Sequence, residues 1–304
     1  MSSSLDPRPC EIAIIGLGEI GGGIARFLAR TGTRVAGFDI AETACAAARA
    51  AGVRVVASVA EAAQVAPVVA TSLPSVDALR AVYLWDGGLV AAGADIVTCD
   101  LSTVPVALAR EIADARAASG GRHVEGALIG VGKDAEAGQM HFMFAGAEDA
   151  VAELAPLLRA GGKGHVRFDR PGEAILAKIL NNGVGQATLA AVAEALALAQ
   201  AAGLSRTALV ASMLRGHGAG YSIVLERHGP AMAADEDGPG PGLLAIKDAK
   251  ALALAIGENR AALPILSTTA DALIDAMAIE KCGRQGVAMT RQAVARIAAA
   301  GESR

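Results

Sequence analysis

Several patterns that mark common protein classes are missing from this sequence. Its four cysteines form no CxxC pair, and its five histidines show no metal-ligand spacing. We therefore expect no disulfide framework and no structural zinc, but a reduced, cytoplasmic protein. Aromatic residues are also scarce, at 3% of the chain. Because alanine dominates instead, we expect many slender helices.

The sequence also lacks a large excess of charge of one sign and a long apolar run. The formal net charge of −4 provides no basic field for nucleic acid and no polybasic patch for a membrane. The most apolar stretch, residues 187–202, contains Glu194 and Gln200 and is too short to span a bilayer. Residues 1–9 form a polar tail, expected to be disordered, without the apolar core of a secretory signal. The expected partner is a small molecule, with neither nucleic acid nor a membrane involved.

The first informative motif is a strand pattern, a glycine-rich turn and a helix pattern in that order. Residues 11–15 form a short β-branched run, and Gly16, Gly18 and Gly21 follow it with GxGxxG spacing. In a dinucleotide-binding turn, these glycines allow a tight turn, approach of the pyrophosphate and close helix packing. The predicted cofactor-binding residues of this turn are Gly16, Leu17, Gly18, Glu19, Ile20 and Gly21.

A second strand pattern covers residues 34–38 and is followed directly by Asp39. This is where a ribose-binding carboxylate is expected in a dinucleotide-binding unit. Asp39 would accept hydrogen bonds from the ribose hydroxyls and repel a 2′-phosphate. The next residues, Ile40 and Ala41, are not basic. The sequence therefore predicts that NAD is preferred over NADP. A solvated Asp39 in a plain βαβ unit is the alternative.

The alternation of strand and helix patterns defines the fold class. Further strands are predicted at residues 53–57, 67–72, 95–100, 123–127, 140–145 and 166–169. Strands separated by helices predict a Rossmann-type, doubly wound parallel sheet in an α/β domain over residues 10–170. Ligands of such sheets bind beyond the carboxyl ends of the strands. The loops predicted there cover residues 73–75, 102–103 and 125–132.

From Pro171 onward the strand patterns disappear. Residues 171–300 are predicted to form an all-α substrate and dimerisation domain that begins with a long interdomain helix. Ser205 is a plausible N-cap for the next helix. Residues 229–242, rich in glycine, proline and acid, are predicted to be an exposed loop.

The long helix carries three polar residues on one face. Lys178, Asn181 and Asn182 stand three and four residues apart within an Ala/Leu-rich pattern. Such groups are costly to bury unless they have partners, which favours a functional site. A lysine that reaches water beside two surface amides is the alternative that the spacing allows.

Together these motifs resemble the β-hydroxyacid dehydrogenase family, which includes 3-hydroxyisobutyrate dehydrogenases and tartronate semialdehyde reductases and lies within the 6-phosphogluconate dehydrogenase superfamily. The similarity extends from residue 12 to about residue 278. The motifs that carry it are the glycine-rich turn at 16–25, Leu-Pro-Ser at 73–75, Asp-Leu-Ser-Thr at 100–103, Lys-x-x-Asn-Asn at 178–182 and Lys-Asp at 247–248.

The resemblance implies hydride transfer between nicotinamide and a small hydroxy acid or semialdehyde. Lys178 would be the general acid/base, with Asn182 as its catalytic partner. The substrate would contact Ser102, Gly130 and Asn181. The cofactor would also contact Leu73, Pro74, Thr103 and Lys247. A homodimer or higher oligomer built on the helical domain is expected.

Two departures from the family pattern bear on the substrate. The family's Asp-Ala-Pro-Val-Ser-Gly-Gly loop corresponds to residues 125–131, so that Ile129 replaces a substrate-binding serine and Val131 replaces a glycine. A branched side chain cannot reproduce a hydroxyl's hydrogen bond or a glycine's backbone freedom. Gln285 also stands where relatives usually carry an acid. Simple 3-hydroxyisobutyrate-like acids are therefore expected to be poor substrates.

Two alternative functions remain at this point. An imine reductase of the same architecture agrees with the altered loop at Ile129, but such relatives usually replace the lysine at 178 with Asp or Tyr. A non-catalytic nucleotide-binding protein predicts loss of the lysine–asparagine face, which is intact. Candidate partners for a substrate carboxylate are Lys133, Arg215 and His217, and Tyr221 or a water is the alternative proton carrier.

Overall fold

The computed structural model describes residues 8–216, 223–236, 242–279 and 284–302. It divides into two compact units, residues 1–178 and 179–304. Of the tail predicted to be disordered, residues 1–7 lie outside the described residues. Arg8 donates a hydrogen bond to the Asp95 carbonyl at 3.0 Å, so the described chain is anchored from its first residue.

The first unit contains one eight-stranded sheet with the order β3-β2-β1-β4-β5-β6-β7-β8. Each predicted strand is present, so the predicted fold class is confirmed. Central strands are buried throughout because helices cover both faces of the sheet. The strands are β1 (Ile12–Ile15), β2 (Val35–Phe38), β3 (Arg54–Val55), β4 (Val68–Thr71), β5 (Val97–Asp100), β6 (Arg122–Ile129), β7 (His141–Ala145) and β8 (His165–Phe168).

One part of the sheet differs from the parallel arrangement that the sequence predicted. Strand β7 runs antiparallel to β6, with Ile129 opposite His141, and β8 is parallel to β7. A parallel crossover needs about a dozen or more residues, usually with a full helix. The segment between β6 and β7 holds only the short helix Gly132–Glu136, so the chain turns back instead.

Helices flank the sheet along the first unit. Two of them begin with serine caps that fix where the chain turns into a helix: Ser58 accepts from the Glu61 amide and Ser75 from the Ala78 amide, each at 3.1 Å. The helices are α1 (Glu19–Arg30), α2 (Glu42–Ala50), α3 (Val59–Val65), α4 (Val76–Leu84), α5 (Val106–Ala118), α6 (Gly132–Glu136), α7 (Glu148–Glu153) and α8 (Ala155–Leu158), with a 3₁₀ turn at Leu89–Ala91.

The second unit is helical in the part that the structure describes. Ser205 accepts from the Ala208 amide at 3.2 Å, which confirms the predicted N-cap. The helices are α9 (Glu173–Ala201), which begins in the first unit, α10 (Arg206–Met213), α11 (Ile223–Ala234), α12 (Gly242–Ile256), α13 (Pro264–Ile279) and α14 (Gln285–Glu302), with a 3₁₀ helix at Gly257–Ala261.

The prediction of an exposed loop over residues 229–242 is wrong for its first part. Helix α11 continues through Pro230 to Ala234, and Met232 is buried at 1% exposure among Leu189 and Val287. A proline inside a helix usually interrupts it, but burial of the apolar side chains that follow outweighs that local preference. Residues 237–241 of the predicted loop lie outside the described residues.

Among the described helices, α9 alone is long and apolar enough to cross a membrane, judged by length and composition. Core helices pass the same test, and 39% of the apolar part of α9 is buried inside the protein. Helix α9 is therefore weak evidence for a membrane span.

Candidate active site

The glycine-rich turn has the geometry that a dinucleotide requires. Gly16 has a φ of +91°, and a Cβ there would lie 2.2 Å from the Ser72 carbonyl oxygen. A Cβ on Gly21 would lie 2.1 Å from the Gly16 carbonyl oxygen, so close packing excludes a side chain at both positions. Gly18, the N-cap of α1, faces open space and contributes no side-chain cap to the helix. An anion can thus approach the N-terminal amides of this helix.

Asp39 is held directly beside that turn. Its carboxylate accepts hydrogen bonds from the backbone amides of Leu17, at 2.7 Å, and Ala41, at 2.8 Å. Each bond uses a different carboxylate oxygen, so each oxygen keeps lone-pair capacity for a ribose hydroxyl. The adjacent Ile40 is 96% exposed. The turn and Asp39 therefore fit an adenine dinucleotide.

Asp100 links the carboxyl ends of strands β4 and β5 through hydrogen bonds. Its Oδ1 accepts from the Thr71 hydroxyl and the Ser102 hydroxyl, both at 2.7 Å, and from the Ser102 amide at 3.1 Å. The Ser102 hydroxyl in turn accepts from the Leu73 amide at 2.9 Å. Ser102 is 4% exposed, and its hydroxyl holds the Leu73–Pro74 turn in place. The predicted contact between Ser102 and substrate stays a prediction.

Asp100 is a residue whose role the sequence alone did not predict. The sequence contained a signal for such a role, because a carboxylate at the end of a buried strand needs hydrogen-bond partners. Asp100 is 5% exposed and closes the run Val97–Asp100.

Lys178 lies at the same edge of the first unit. Its Nζ donates a short hydrogen bond to Oγ1 of Thr103, which follows β5 and the Asp100–Ser102 pair. The structure thus brings together Lys178, which the spacing singled out, and Thr103, which lies in a loop predicted at the carboxyl ends of the strands. This hydrogen bond lies beyond the carboxyl end of β5, where the ligands of doubly wound sheets bind.

Strand β6 carries both a buried carboxyl and the predicted substrate loop. Glu125 is the register partner of Asp100 and is 3% exposed. Burial raises its pKa, although backbone amides at the start of α9 counteract that effect. The strand ends at Ile129, and Gly130 follows with a φ of +149°, where a Cβ would lie 2.7 Å from the Met140 sulfur.

The predicted substrate loop is connected to the glycine-rich turn through Glu19. The Glu19 carboxylate accepts from the Gly132 amide at 3.2 Å. A Cβ on Gly132 would lie 2.4 Å from that carboxylate oxygen. The acidic side chain at the start of α1 is thereby directed to the loop, while the turn's backbone remains open to an anion.

In the second unit, the predicted residues have partners of their own. Asn182 donates to the Asp248 carboxylate at 3.0 Å and accepts from Asn181 at 3.3 Å. Lys247 lies half-buried on α12, next to Asp248 in sequence. The site roles of Asn181, Asn182 and Lys247 stay predictions. Among the other candidates, Lys133 and Arg215 are exposed, while His217 and Tyr221 lie outside the described residues.

Within the ranges that the structure covers, no cluster of His, Cys, Asp and Glu side chains is suited to hold a metal ion. The three cysteines described, Cys10, Cys45 and Cys99, are free and buried.

Comparisons with known proteins identify the family. The NAD binding domain of 6-phosphogluconate dehydrogenase matches residues 11–175 of this chain. The NAD-dependent L-serine dehydrogenase of Pseudomonas aeruginosa is 32% identical over 232 residues, which are 75% of this chain and 76% of that protein. The chain belongs to the β-hydroxyacid dehydrogenase family. This β-hydroxyacid dehydrogenase is an NAD(P)-dependent oxidoreductase that acts on CH–OH groups, as the resemblance implied.

Solved structures agree with the fold. The 3-hydroxyisobutyrate dehydrogenase of Mycobacterium tuberculosis, determined with L-serine, has a TM-score of 0.81 and 29% identity and covers 93% of this chain and 99% of its own. An imine reductase of Streptomyces aurantiacus has a TM-score of 0.62 at 22% identity, covering 93% of this chain and 99% of its own. At that identity the second likeness shows the shared fold alone.

Proposed function

We propose that this β-hydroxyacid dehydrogenase oxidises the hydroxyl group of a small hydroxy acid to a semialdehyde-like product, reversibly, with Lys178 as general acid/base. The hydrogen bond from Lys178 Nζ to Thr103 Oγ1 is the observation that carries this proposal. It joins the predicted proton carrier to the segment that follows β5, in the same unit as the dinucleotide turn.

In the proposed reaction, bound NAD would supply the hydride acceptor. The Lys178 amine takes the proton from the substrate hydroxyl, or returns it in the reverse direction. Thr103 orients the amine through its hydroxyl. Asn181 and Asn182 hold the substrate oxygen with their amide groups, each of which offers a donor and an acceptor. Gly130 contributes backbone to the substrate loop.

We further propose that NAD is preferred over NADP. Asp39 is fixed by two backbone amides, and a 2′-phosphate would meet its negative charge at close range. The turn supplies Gly16, Leu17, Gly18, Glu19, Ile20 and Gly21 to the pyrophosphate side. Leu73, Pro74, Thr103 and Lys247 are assigned to the nicotinamide side.

The substrate is proposed to be a hydroxy acid whose carboxylate is not held by a serine at the end of β6. Relatives named for L-serine and 3-hydroxyisobutyrate support a small acid, whereas Ile129 offers no hydroxyl to its carboxylate. We also propose a cytoplasmic homodimer built on the helical unit, without nucleic-acid or membrane partners. Large apolar side chains exposed on that unit include Leu198 at 65%, Leu254 at 69% and Ile265 at 73%.

The test of the proton carrier is substitution of Lys178. Lys178→Ala should lower kcat by a factor on the order of 10² to 10⁴. NADH affinity, measured by fluorescence titration, should stay nearly unchanged because the dinucleotide turn and Asp39 are intact. Lys178→Arg should fail as well, since arginine does not release its proton at working pH. Lys250→Ala, at an exposed lysine on α12, is the matched control. A Lys178→Ala enzyme with wild-type kcat would remove the lysine from the mechanism.

Imine reduction is the second candidate, and Ile129 is the observation that favours it. The two functions separate in one assay with β-hydroxy acids, aldehydes and cyclic imines, each tested with both cofactors. Turnover of hydroxy acids or aldehydes that depends on Lys178 supports the dehydrogenase. Turnover of cyclic imines that persists in Lys178→Ala supports the imine reductase.

A further inference from the structure

Glu125 is a buried carboxyl group in the middle of β6. Its Oε1 accepts from the Ile175 amide at 2.7 Å, and its Oε2 accepts from the Gly172 amide. The residue is only 3% exposed. Burial of a carboxylate is costly unless its oxygens are hydrogen-bonded, and these amides satisfy both oxygens.

The two amides belong to the N-terminal end of α9, the helix that carries Lys178. The first amides of a helix have no partner inside the helix, and the helix dipole favours a negative charge there. Ile175 precedes Lys178 by three residues, about one turn. Glu125 thus holds the turn from which Lys178 projects, although it lies 50 residues earlier in the chain.

The same strand leads to the substrate loop. Four residues beyond Glu125, β6 ends at Ile129, and Gly130 follows. On the neighbouring strand, Asp100 lies opposite Glu125 in register and fixes Ser102, which immediately precedes Thr103. Two adjacent buried carboxyls therefore determine where the two partners of the Lys178–Thr103 hydrogen bond stand.

We propose that Glu125 is a positioning residue for the reaction: it holds the first turn of α9 against β6, so that the Lys178 amine meets Thr103 beside the substrate loop. This inference rests on the proposed role of Lys178. It assigns Glu125 no contact with substrate or cofactor. Its loss should therefore lower kcat and leave cofactor binding unchanged.

The first test compares E125Q, E125D and E173Q in the full-length enzyme. In E125Q, the amide oxygen can accept from one helix amide while the NH₂ group opposes the other, so kcat should fall by about 10- to 100-fold. The KM for NAD and the Kd for NADH should change less than about twofold. E125D keeps the charge but ends one methylene short, so its kcat should lie between those of E125Q and the wild type.

E173Q is the matched control, because Glu173 also accepts from backbone amides at this helix end. Its Oε2 accepts from Arg170 at 3.0 Å and from Asp169 at 3.2 Å, but it touches the segment before the helix rather than β6. Its kcat should remain near the wild-type value. Wild-type kcat in folded E125Q would overturn the proposal. If E125Q does not fold, wild-type kcat in E125D would overturn it.

A double-mutant cycle with Lys178→Ala separates this inference from the proposed function. If Glu125 acts through Lys178, adding E125Q to Lys178→Ala should leave the residual rate unchanged within about twofold. A further loss as large as in the wild-type background would show that Glu125 acts independently, and would overturn the inference. Wild-type turnover in Lys178→Ala alone would instead refute the role of the lysine, whatever E125Q does.

Discussion

At the scale of single residues, two polar side chains near the glycine-rich turn and the Leu73–Pro74 turn are each fixed by more than one hydrogen bond. Asp39 accepts two backbone amides, and Ser102 both donates to Asp100 and accepts from Leu73. Groups fixed in this way need little reorganisation when a ligand arrives, which lowers the entropic cost of binding. Substitutions at these positions therefore test geometry as well as charge.

Asp39 gives the sharpest residue-scale prediction. Asp39→Ala should raise the KM for NAD by about 10- to 100-fold, since it removes charge-assisted bonds worth about 1.5 to 3 kcal/mol. Asp39→Asn keeps the shape and one acceptor oxygen but loses the charge that repels a 2′-phosphate. Its ratio of kcat/KM for NAD over NADP should fall, mainly through a gain with NADP. A wild-type enzyme with higher kcat/KM for NADP would refute the preference.

The environment of His123 leads us to expect that the free energy of unfolding depends on pH. Its ring lies edge-on to Tyr83, with centroids 5.6 Å apart, and its Nδ1 is 2.9 Å from the Thr98 hydroxyl. Burial, aided by the charge of Arg116, lowers the pKa of His123 to about 3. Since the folded-state pKa lies below the unfolded value of about 6.5, the stabilisation is present above that value and is lost as pH falls towards about 3.

The measurement is urea unfolding at pH 7 and pH 4.5. The His123 contribution should cost the wild type up to about 3 kcal/mol between these values. His123→Asn should lose less over the same interval, because asparagine takes up no proton. The control is His165→Asn, at an exposed histidine on β8. Parallel pH dependence in His123→Asn and the wild type would contradict the assignment.

At the scale of elements, helix α6, which follows the predicted substrate loop, packs against helix α1 of the glycine-rich turn. A Cβ on Gly23 of α1 would lie 2.8 Å from the Ala135 Cβ on α6. Arg26 of α1 also donates from Nε to Glu136 of α6 at 2.7 Å. The Ala-x-x-Gly segment at residues 135–138 therefore serves helix packing, which explains why small residues stand there. The packing of α6 against α1 sets the position of the predicted substrate loop, and we propose that Ile129, at the end of β6, selects the substrate.

Ile129 is the test of that selection. Ile129→Ser should raise kcat/KM for 3-hydroxyisobutyrate by about tenfold, because a hydroxyl can donate a charge-assisted bond to the substrate carboxylate. Ile129→Val keeps an apolar branched side chain and should not improve it. The kcat/KM values of the three enzymes give the comparison. Rapid oxidation of 3-hydroxyisobutyrate by the wild type would show that the loop does not exclude this acid.

At the scale of the whole molecule, the sequence predicted the strands of the sheet and the long helix that carries Lys178. Buried strands and the glycine spacing depend on residues close together in the chain, so they can be predicted from one sequence. The reversal at β7 depended on the length of one connection, and α11 continued through Pro230 because Met232 is buried. The roles of Asp100 and Glu125 depend on partners distant in the chain, as with Ile175 for Glu125.

The residues proposed to bind the cofactor are distributed unevenly over the chain, and this leads to the last prediction. The dinucleotide turn, Asp39 and the Leu73–Pro74 turn all belong to residues 1–178, whereas Lys247 is the single cofactor residue proposed in the second unit. Hydrogen exchange followed by mass spectrometry should therefore show that NADH slows exchange in peptides covering residues 15–21, 36–41 and 71–75. A peptide from α10, residues 206–213, serves as the internal control and should exchange at the same rate with and without NADH. Asp39→Ala should reduce the protection of all three peptides at a fixed NADH concentration, because lower affinity lowers occupancy. Protection confined to the second unit would contradict the assignment of the cofactor to the glycine-rich turn.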